Sequence, residues 1–550
     1  MSERFDADVI IVGGGPCGLV LANELGQRGV STILFNERAT TSPHPQANAT
    51  QARTMEHYRR LGFVRRIREA GLPPDYPTDV AYFTRYTGWE LARFELPEAG
   101  RAEDLIRTLE GSWSAAELPH RCSQMYIERI LREEAETLPS VATRFGWRVT
   151  DFAESTDGVE VAAQCETDAK RFTARYLVGC DGPRSFVRQR IGATLAGETG
   201  KARPYMGGRM HAVYLRAPAL YDLIPAKRAW QYWAVNPDRR GTLVALDGRG
   251  AFVFCTQLRP GEDEAAITDA MARDMVWRCI GRTCDFEIVT RSFWTAGLTL
   301  VADRYAQGRV FIAGDATHLF TPTGGLGYNT AVEDAVNLGW KLAAVIQGWG
   351  GPNLLATYEA EREPVAKRNT GYARGFADSI GMLVPPPELE DDTPAGAAAR
   401  AEIGAKLNRH VREEFDIPGI TFGARYDGSP LLVPDGTAQP PDQANIYRPT
   451  ACPGGRAPHA WLGDGRSLYD AFGKGFTLLR LGRHAPDAAP LIGAAAGRGL
   501  PLTLLALESD ALRDLYAADL ALIRPDQIVA WRGSSVPDDA DALFARVCGH

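Results

Sequence analysis

Apolar positions along the chain follow two rhythms. Val9-Ile10-Ile11-Val12 is an unbroken apolar run, the mark of a buried strand. Leu19, Ala22 and Leu25 recur at helical spacing, and Ser31 to Phe35 returns to a strand, which completes one βαβ unit. Further on, the pattern turns to alternation. Arg209 to Arg216, Ala229 to Val235, Thr242 to Leu246 and Ala251 to Leu258 read as an antiparallel sheet, with Val80 to Leu96 expected to join it. Within residues 330–346, Val332, Ala335, Val336, Leu342 and Ile346 fall near one face and predict a buried amphipathic helix. Between Leu383 and Pro441, prolines and acids (Pro385-Pro386-Pro387, Glu388 to Asp392, Pro430, Pro434, Pro440, Pro441) read as a linker with short structure. Strands return at Phe476 to Leu481 and Leu502 to Leu507, then a hairpin over Leu522 to Arg532 and a short helix to Val547.

The turn after the first strand is Gly13-Gly14-Gly15-Pro16-Cys17-Gly18, and the acid Glu37 closes the unit. An acid about 20 residues beyond such a turn completes a dinucleotide fingerprint. Gly13 permits the tight turn, Gly15 lets the backbone approach a pyrophosphate, and Gly18 lets helix and strand pack closely. The helix N-terminus then holds the phosphates, and Glu37 accepts from a ribose.

Two later segments repeat the strand-then-turn pattern. Tyr176-Leu177-Val178-Gly179-Cys180-Asp181-Gly182 precedes Ser185, Val187, Arg188 and Gly192. Arg309-Val310-Phe311-Ile312-Ala313-Gly314-Asp315-Ala316 precedes Pro322, Gly325, Gly327, Asn329 and Asp334. With the first turn, these resemble the three signatures of the class A flavoprotein monooxygenases, the single-component FAD-dependent aromatic hydroxylases. The resemblance runs through roughly residues 8–370. It implies that Asp315 bonds the ribityl chain of FAD and that Pro322 to Asn329, with Gly325 and Gly327, lies against the isoalloxazine. It also implies that Asp181 touches FAD and the nicotinamide donor, and that Gln124 is a flavin-side glutamine. Two positions depart from the pattern: Tyr328 stands where relatives often have methionine, and Gln46 where many carry an arginine reaching the FAD phosphates. Arg53 is then a candidate for that missing charge.

The implied fold is α/β. A discontinuous Rossmann-like FAD-binding domain (1–75, 105–194, 300–382) carries an inserted antiparallel-sheet substrate domain (76–104, 195–299). After the linker 383–444, residues 445–550 resemble the thioredoxin-like domain of the phenol-hydroxylase branch, through Arg524-Pro525-Asp526 and Ala530-Trp531-Arg532. That unit lacks CxxC and cannot exchange dithiols, so a structural or dimer-supporting role is expected. The implied reaction draws on NAD(P)H and O2 and runs through a flavin hydroperoxide, which hydroxylates a phenolic ring, ortho to its hydroxyl. The protein must supply a dry pocket and favour the phenolate. Arg209, His211, Gln231, Tyr232 and Trp233 on the inserted sheet are candidates, with Tyr232, then His211 and Arg209, expected to be catalytic. Alternatives are a polyketide-tailoring hydroxylase, another FAD oxidoreductase on this scaffold, or a flavin-binding sensor. The halogenase signature WxWxIP is missing.

Composition narrows the picture further. A net charge of −7 gives nucleic acid no basic stripe. No stretch of about 18 apolar residues suggests a membrane span. The nine cysteines include no CxxC, and the first strand begins too early for an export leader, so reduced thiols in a cytoplasm are expected. The nine histidines include no HxxxH, and no metal site is expected. The expected partners are a small aromatic, O2 and a second copy of the chain.

Overall fold

In the computed structural model, which describes residues 5–200 and 202–550, the first apolar run becomes the strand Ala7–Val12 at the centre of a sheet. Thr32–Asn36 and Ala169–Gly179 flank it, with Val141–Phe145 and Val310–Ile312 beyond, all parallel to their neighbours. Register sets Val12 beside Phe35 and Gly179, and Gly179 beside Ile312. The three glycine-bearing turns therefore leave the sheet together at its carboxyl edge, where doubly wound sheets bind ligands.

The helix Pro16–Gly26 packs on this sheet and is buried from Cys17 to Gly26. Leu19, Val20, Leu21 and Leu25 are fully covered. Each contributes about 1.5–3 kcal/mol on burial. The predicted amphipathic helix is Leu326–Gln347, and it lies so close that a Cβ on Gly339 would fall 2.5 Å from Glu24 Cγ.

The inserted sheet has seven strands, in the order Glu287–Thr295, Arg209–Arg216, Ala251–Gln257, Gly241–Ala245, Gln231–Ala234, Val80–Phe83 and Glu90–Phe94. It is antiparallel except where Gln231–Ala234 runs parallel to Val80–Phe83. Its two faces have different covers. The helix Asp269–Ile280 lies on one: a Cβ on Gly241 would meet Phe254 and Cys279 there, and Arg291 pairs with Asp269. The other turns toward the first domain, where Thr290 and Ser292 hydrogen-bond the two ring nitrogens of His44 at 2.7 and 2.8 Å.

The expected linker is largely structured. Pro394–Phe415 is a 22-residue helix on the strand Glu90–Phe94, burying Ile403, Leu407 and Val411, and Pro418–Phe422 follows it. Pro394 starts the long helix, and Thr393 caps it by accepting from the Gly396 N–H. Proline in the first turn is a start signal, which the linker reading took for a break.

The C-terminal unit forms a four-stranded sheet ordered Leu502–Leu507, Phe476–Leu481, Leu520–Ile523 and Val529–Gly533. The first pair is parallel, with Ala489–Gly497 between its strands in the chain, and the others are antiparallel. Phe476 packs edge-on against Trp340 and Trp349, so this unit shares a core with the first domain. Cys452 and Cys548 are each 1% exposed, and burial pushes the Cys548 thiol up to about 12. Changing both to alanine is expected to leave turnover within about twofold, under about 0.5 kcal/mol in barrier. Lost activity at intact FAD content would show a thiol at work.

Candidate functional site

At the carboxyl edge the first glycine turn is built by contact. Gly13 has φ +112°, and a Cβ there would sit 2.2 Å from the Cys180 carbonyl oxygen. A Cβ on Gly18 would sit 2.0 Å from the Gly13 carbonyl oxygen. Gly15 differs: nothing lies within 4 Å of where its Cβ would be. The protein itself leaves that flank open, and a pyrophosphate fits it. Pro16 begins the helix, and no side chain caps it, which leaves its first turn to a ligand. Asn36 accepts from the Gly14 N–H at 3.1 Å, and the next residue, Glu37, is exposed at the strand end.

Asp315 supplies the second point of fit. Its turn follows Val310–Ile312, deep in the molecule, yet the side chain faces open space in a recess. No hydrogen-bond partner is found for it among the described residues. Surrounding protein raises its pKa, and nearby His318 opposes the shift. An unpaired acceptor in such a recess suits a ligand hydroxyl. Its turn is held from below by Asp334. That carboxylate accepts from the Gly314 N–H at 3.2 Å, from Arg362 Nε at 2.7 Å, and meets His318 Nε2 at 2.7 Å, all buried. His318 and Arg362 hold Asp334 ionised against burial.

The other expected cofactor residues divide by what they touch. Asp181 spends both oxygens on the helix Phe186–Arg190, accepting from Ser185 Oγ and from the Val187 N–H. It caps that helix and is only half-buried, so the cap does not use all of its acceptor capacity. Arg188 of that helix donates to the Pro183 and Ala316 carbonyls and ties the second turn to the third. For Arg53 the expectation is corrected. It is buried and bonded to Glu56, Gln527 Oε1 and the Asp526 carbonyl, so it joins the C-terminal unit rather than a phosphate. Gln124 opens the helix Gln124–Glu136 and donates to Glu128 at 2.7 Å and to Gln46 at 3.1 Å. Gln124 thus meets the residue that replaces the family arginine.

The loop from Pro322 to Gly325 is pinned on all sides. Gly324 donates to Glu414 Oε1 at 2.8 Å and accepts from Gln51 at 3.0 Å. Asn329 donates to the Ala49 and Gly325 carbonyls and accepts from the Gln51 N–H. Its side-chain amide is engaged in fixing the loop. Gly325 caps the long helix at φ +63°, and a Cβ would come 2.9 Å from Ala49 Cβ; a Cβ on Gly327 would come 3.3 Å from Phe320. Their glycine character answers the protein's own packing. Pro322 is exposed at the loop start. Tyr328 shares a hydrogen bond with Tyr58.

The three expected catalytic residues share the face that lies under the helix Asp269–Ile280, opposite the one that meets His44 of the first domain. Tyr232 is level with Leu243, Phe254, Val213 and Arg291, the side under the helix Asp269–Ile280. It is 1% exposed, and its oxygen accepts from the Ala229 N–H at 2.8 Å. His211 stacks on Phe293 at 4.6 Å, and burial lowers its pKa to about 4. Arg209 pairs with Glu264 at the surface. One residue along, Gln231 and Trp233 take the opposite face. Trp233 stacks on Tyr82 at 5.6 Å, and Trp233 Nε1, Tyr82 Oη and Gln231 Oε1 are buried without partners among the described residues. Side chains alternate along a strand, so a shift of one position exchanges the faces. Tyr232→Phe is therefore expected to cost about 1–3 kcal/mol of stability through the orphaned Ala229 N–H, with ligand binding unchanged. Trp233→Phe should instead weaken aromatic binding. Thermal unfolding and ligand titration separate the two, and equal effects on binding would sink the assignment of faces.

Among the described residues no cluster could hold a metal ion, and no helix is long and apolar enough to cross a membrane. Residues 6–373 match the family model of an FAD binding domain, and residues 450–550 that of the aromatic-ring hydroxylase C-terminal region. The chain is 32% identical to an FAD-dependent monooxygenase, apdD, of Emericella nidulans, over 98% of this chain and 90% of that one. It is 30% identical to a phenol 2-monooxygenase of Pseudomonas sp., over 99% and 93%. The solved structure of the rebeccamycin biosynthetic enzyme RebC with reduced flavin is similar at TM-score 0.87 and 35% identity, covering 99% of each chain.

Proposed function

The chain belongs to the FAD-dependent aromatic-ring hydroxylases, and from that premise we propose that it hydroxylates a phenolic ring ortho to an existing hydroxyl. It is a flavoprotein monooxygenase that uses FAD, with NAD(P)H as the usual reductant of the family. The observation that carries the finer reading is the recess itself: an open flank at Gly15, an unpaired Asp315, and a facing sheet with unpaired Trp233, Tyr82 and Gln231 groups. Gly13, Gly15, Gly18, Glu37 and Asp315 would hold FAD, with Gln124 and the loop from Pro322 to Asn329 framing its ring. Bound FAD supplies the redox chemistry, taking two electrons from NAD(P)H and activating O2 to deliver one oxygen atom.

The remaining tasks fall to the chain's own side chains. Trp233 and Tyr82 offer a flat wall and two hydrogen-bonding groups that orient an oxygenated ring. The Glu414 and Gln51 contacts keep the Pro322–Gly325 loop rigid above it, and close packing keeps water out. An ionised phenol directs electrophilic attack to its ortho and para carbons. The position in the name phenol 2-monooxygenase supports ortho. A polycyclic, biosynthetic substrate is the second reading, favoured by the likeness to RebC. In the same reading the C-terminal unit is thioredoxin-like without dithiol chemistry and supports a cytoplasmic homodimer. The test is a screen of phenols against the purified yellow protein. A true substrate should speed NAD(P)H oxidation and gain one oxygen atom by mass. Oxidation indifferent to every phenol would remove the reading.

A further inference from the structure

Arg121 is a buried arginine beside the site whose guanidinium, unlike that of Arg188 with its two carbonyl acceptors, packs on aromatic rings. It lies on the short strand His120–Arg121 and is 6% exposed. Arg362, Arg456 and Arg524, equally buried, each pair with a carboxylate. For Arg121 no carboxylate partner is found among the described residues, and Nη1 has no acceptor. Its guanidinium lies 4.3 Å from the Trp230 ring centre and 5.8 Å from that of Phe415. Burial alone lowers its pKa to about 10. A buried cation without a counter-charge is costly, and aromatic faces offset only part of the cost.

Its position says where an anion would come from. Arg121 pairs in register with Ala49, whose carbonyl accepts from Asn329 and whose Cβ abuts Gly325. Phe415 adjoins Glu414, the residue holding the Gly324 N–H. Trp230 leads directly into the strand bearing Gln231 and Trp233. Arg121 thus borders the loop and the sheet between which the aromatic would lie.

We propose that Arg121 binds an anionic oxygen of the aromatic substrate, a carboxylate or an ionised phenol. This rests on the substrate pocket proposed above. Binding is read on the oxidised holoenzyme from changes in flavin absorbance, so it needs no turnover; failure here leaves the hydroxylase reading standing, and a failed hydroxylation leaves this result readable. The probes are 2-naphthoate against 2-naphthamide, and 4-nitrophenolate against nitrobenzene. At least one anion should bind about tenfold more tightly than its neutral counterpart, and which pair responds names the source. Arg121→Gln should abolish that preference with FAD content unchanged, and Arg121→Lys should restore part of it. Arg121→Met should melt, as apoprotein, no lower than the parent, because an uncompensated charge has been removed. Anions binding no better than neutral probes, or no probe binding at all, overturns the proposal. So does loss of FAD in Arg121→Gln, which would place the phosphates there, or an Arg121→Met protein that melts lower with the preference kept.

Discussion

Arg524→Met is expected to cost about 3–5 kcal/mol and to loosen the C-terminal unit from the rest of the chain. The guanidinium donates to both oxygens of Glu361, at 2.7 and 2.9 Å, and to both of Asp526, at 3.0 and 2.6 Å. Lys341, Asn337 and Ser429 complete the shell of Glu361, and the whole cluster is out of water. Removing the cation leaves Glu361 with Lys341 but strands Asp526 as a buried charge. Because Asn337 and Lys341 sit on the same helix that begins at the Gly325 loop, the damage should reach the cofactor as well. Thermal unfolding followed by circular dichroism and by flavin release should both shift down together. A variant that melts like the parent would show the cluster to be idle.

Acid should act at the sister cluster. Arg456 and Arg53 flank Glu56, and with the Ala116 N–H they hold its pKa down to about 2 although burial opposes them. A depressed carboxylate stabilises the fold fully above its ordinary value of 4.5, and that stability is lost as pH falls from there toward 2. The C-terminal unit is therefore expected to undock in that window.

Asp315→Ala is expected to weaken FAD binding about 10- to 100-fold, the loss of about 1–3 kcal/mol when a buried hydroxyl gives up its acceptor. The apoprotein should not suffer. The Asp315 side chain is exposed and has no hydrogen-bond partner among the described residues, so removing it leaves the fold's stability close to the parent's. Asp315→Asn, which keeps an acceptor, should fall between. FAD titration of the apoproteins decides: unchanged affinity, or an apoprotein that melts lower, would mean that Asp315 serves the fold instead.

What was legible in the chain follows from what leaves a trace in one dimension. Gly13 and Gly18 are forced because a Cβ there would sit 2.2 and 2.0 Å from a backbone carbonyl oxygen, and only one residue type has no Cβ. Asp334 stood in the third motif, yet its work with His318 and Arg362 required the fold to bring them together. The inserted sheet was visible as alternation, but alternation states that two faces differ without saying which meets the site. Tyr232 and Trp233 are neighbours, and only the helix Asp269–Ile280 tells them apart. Arg53 has the charge a phosphate wants, and nothing near it in sequence foretells Gln527. The helix Pro394–Phe415, which carries Glu414, is hidden because prolines that begin helices look like prolines that break them.

Turnover under labelled oxygen gas, with mass spectrometry of the aromatic product and of the water formed, decides whether the enzyme is a monooxygenase of its aromatic substrate. One labelled atom is expected in the new hydroxyl of the product and the other in water. A product whose new oxygen comes from the solvent would contradict that assignment.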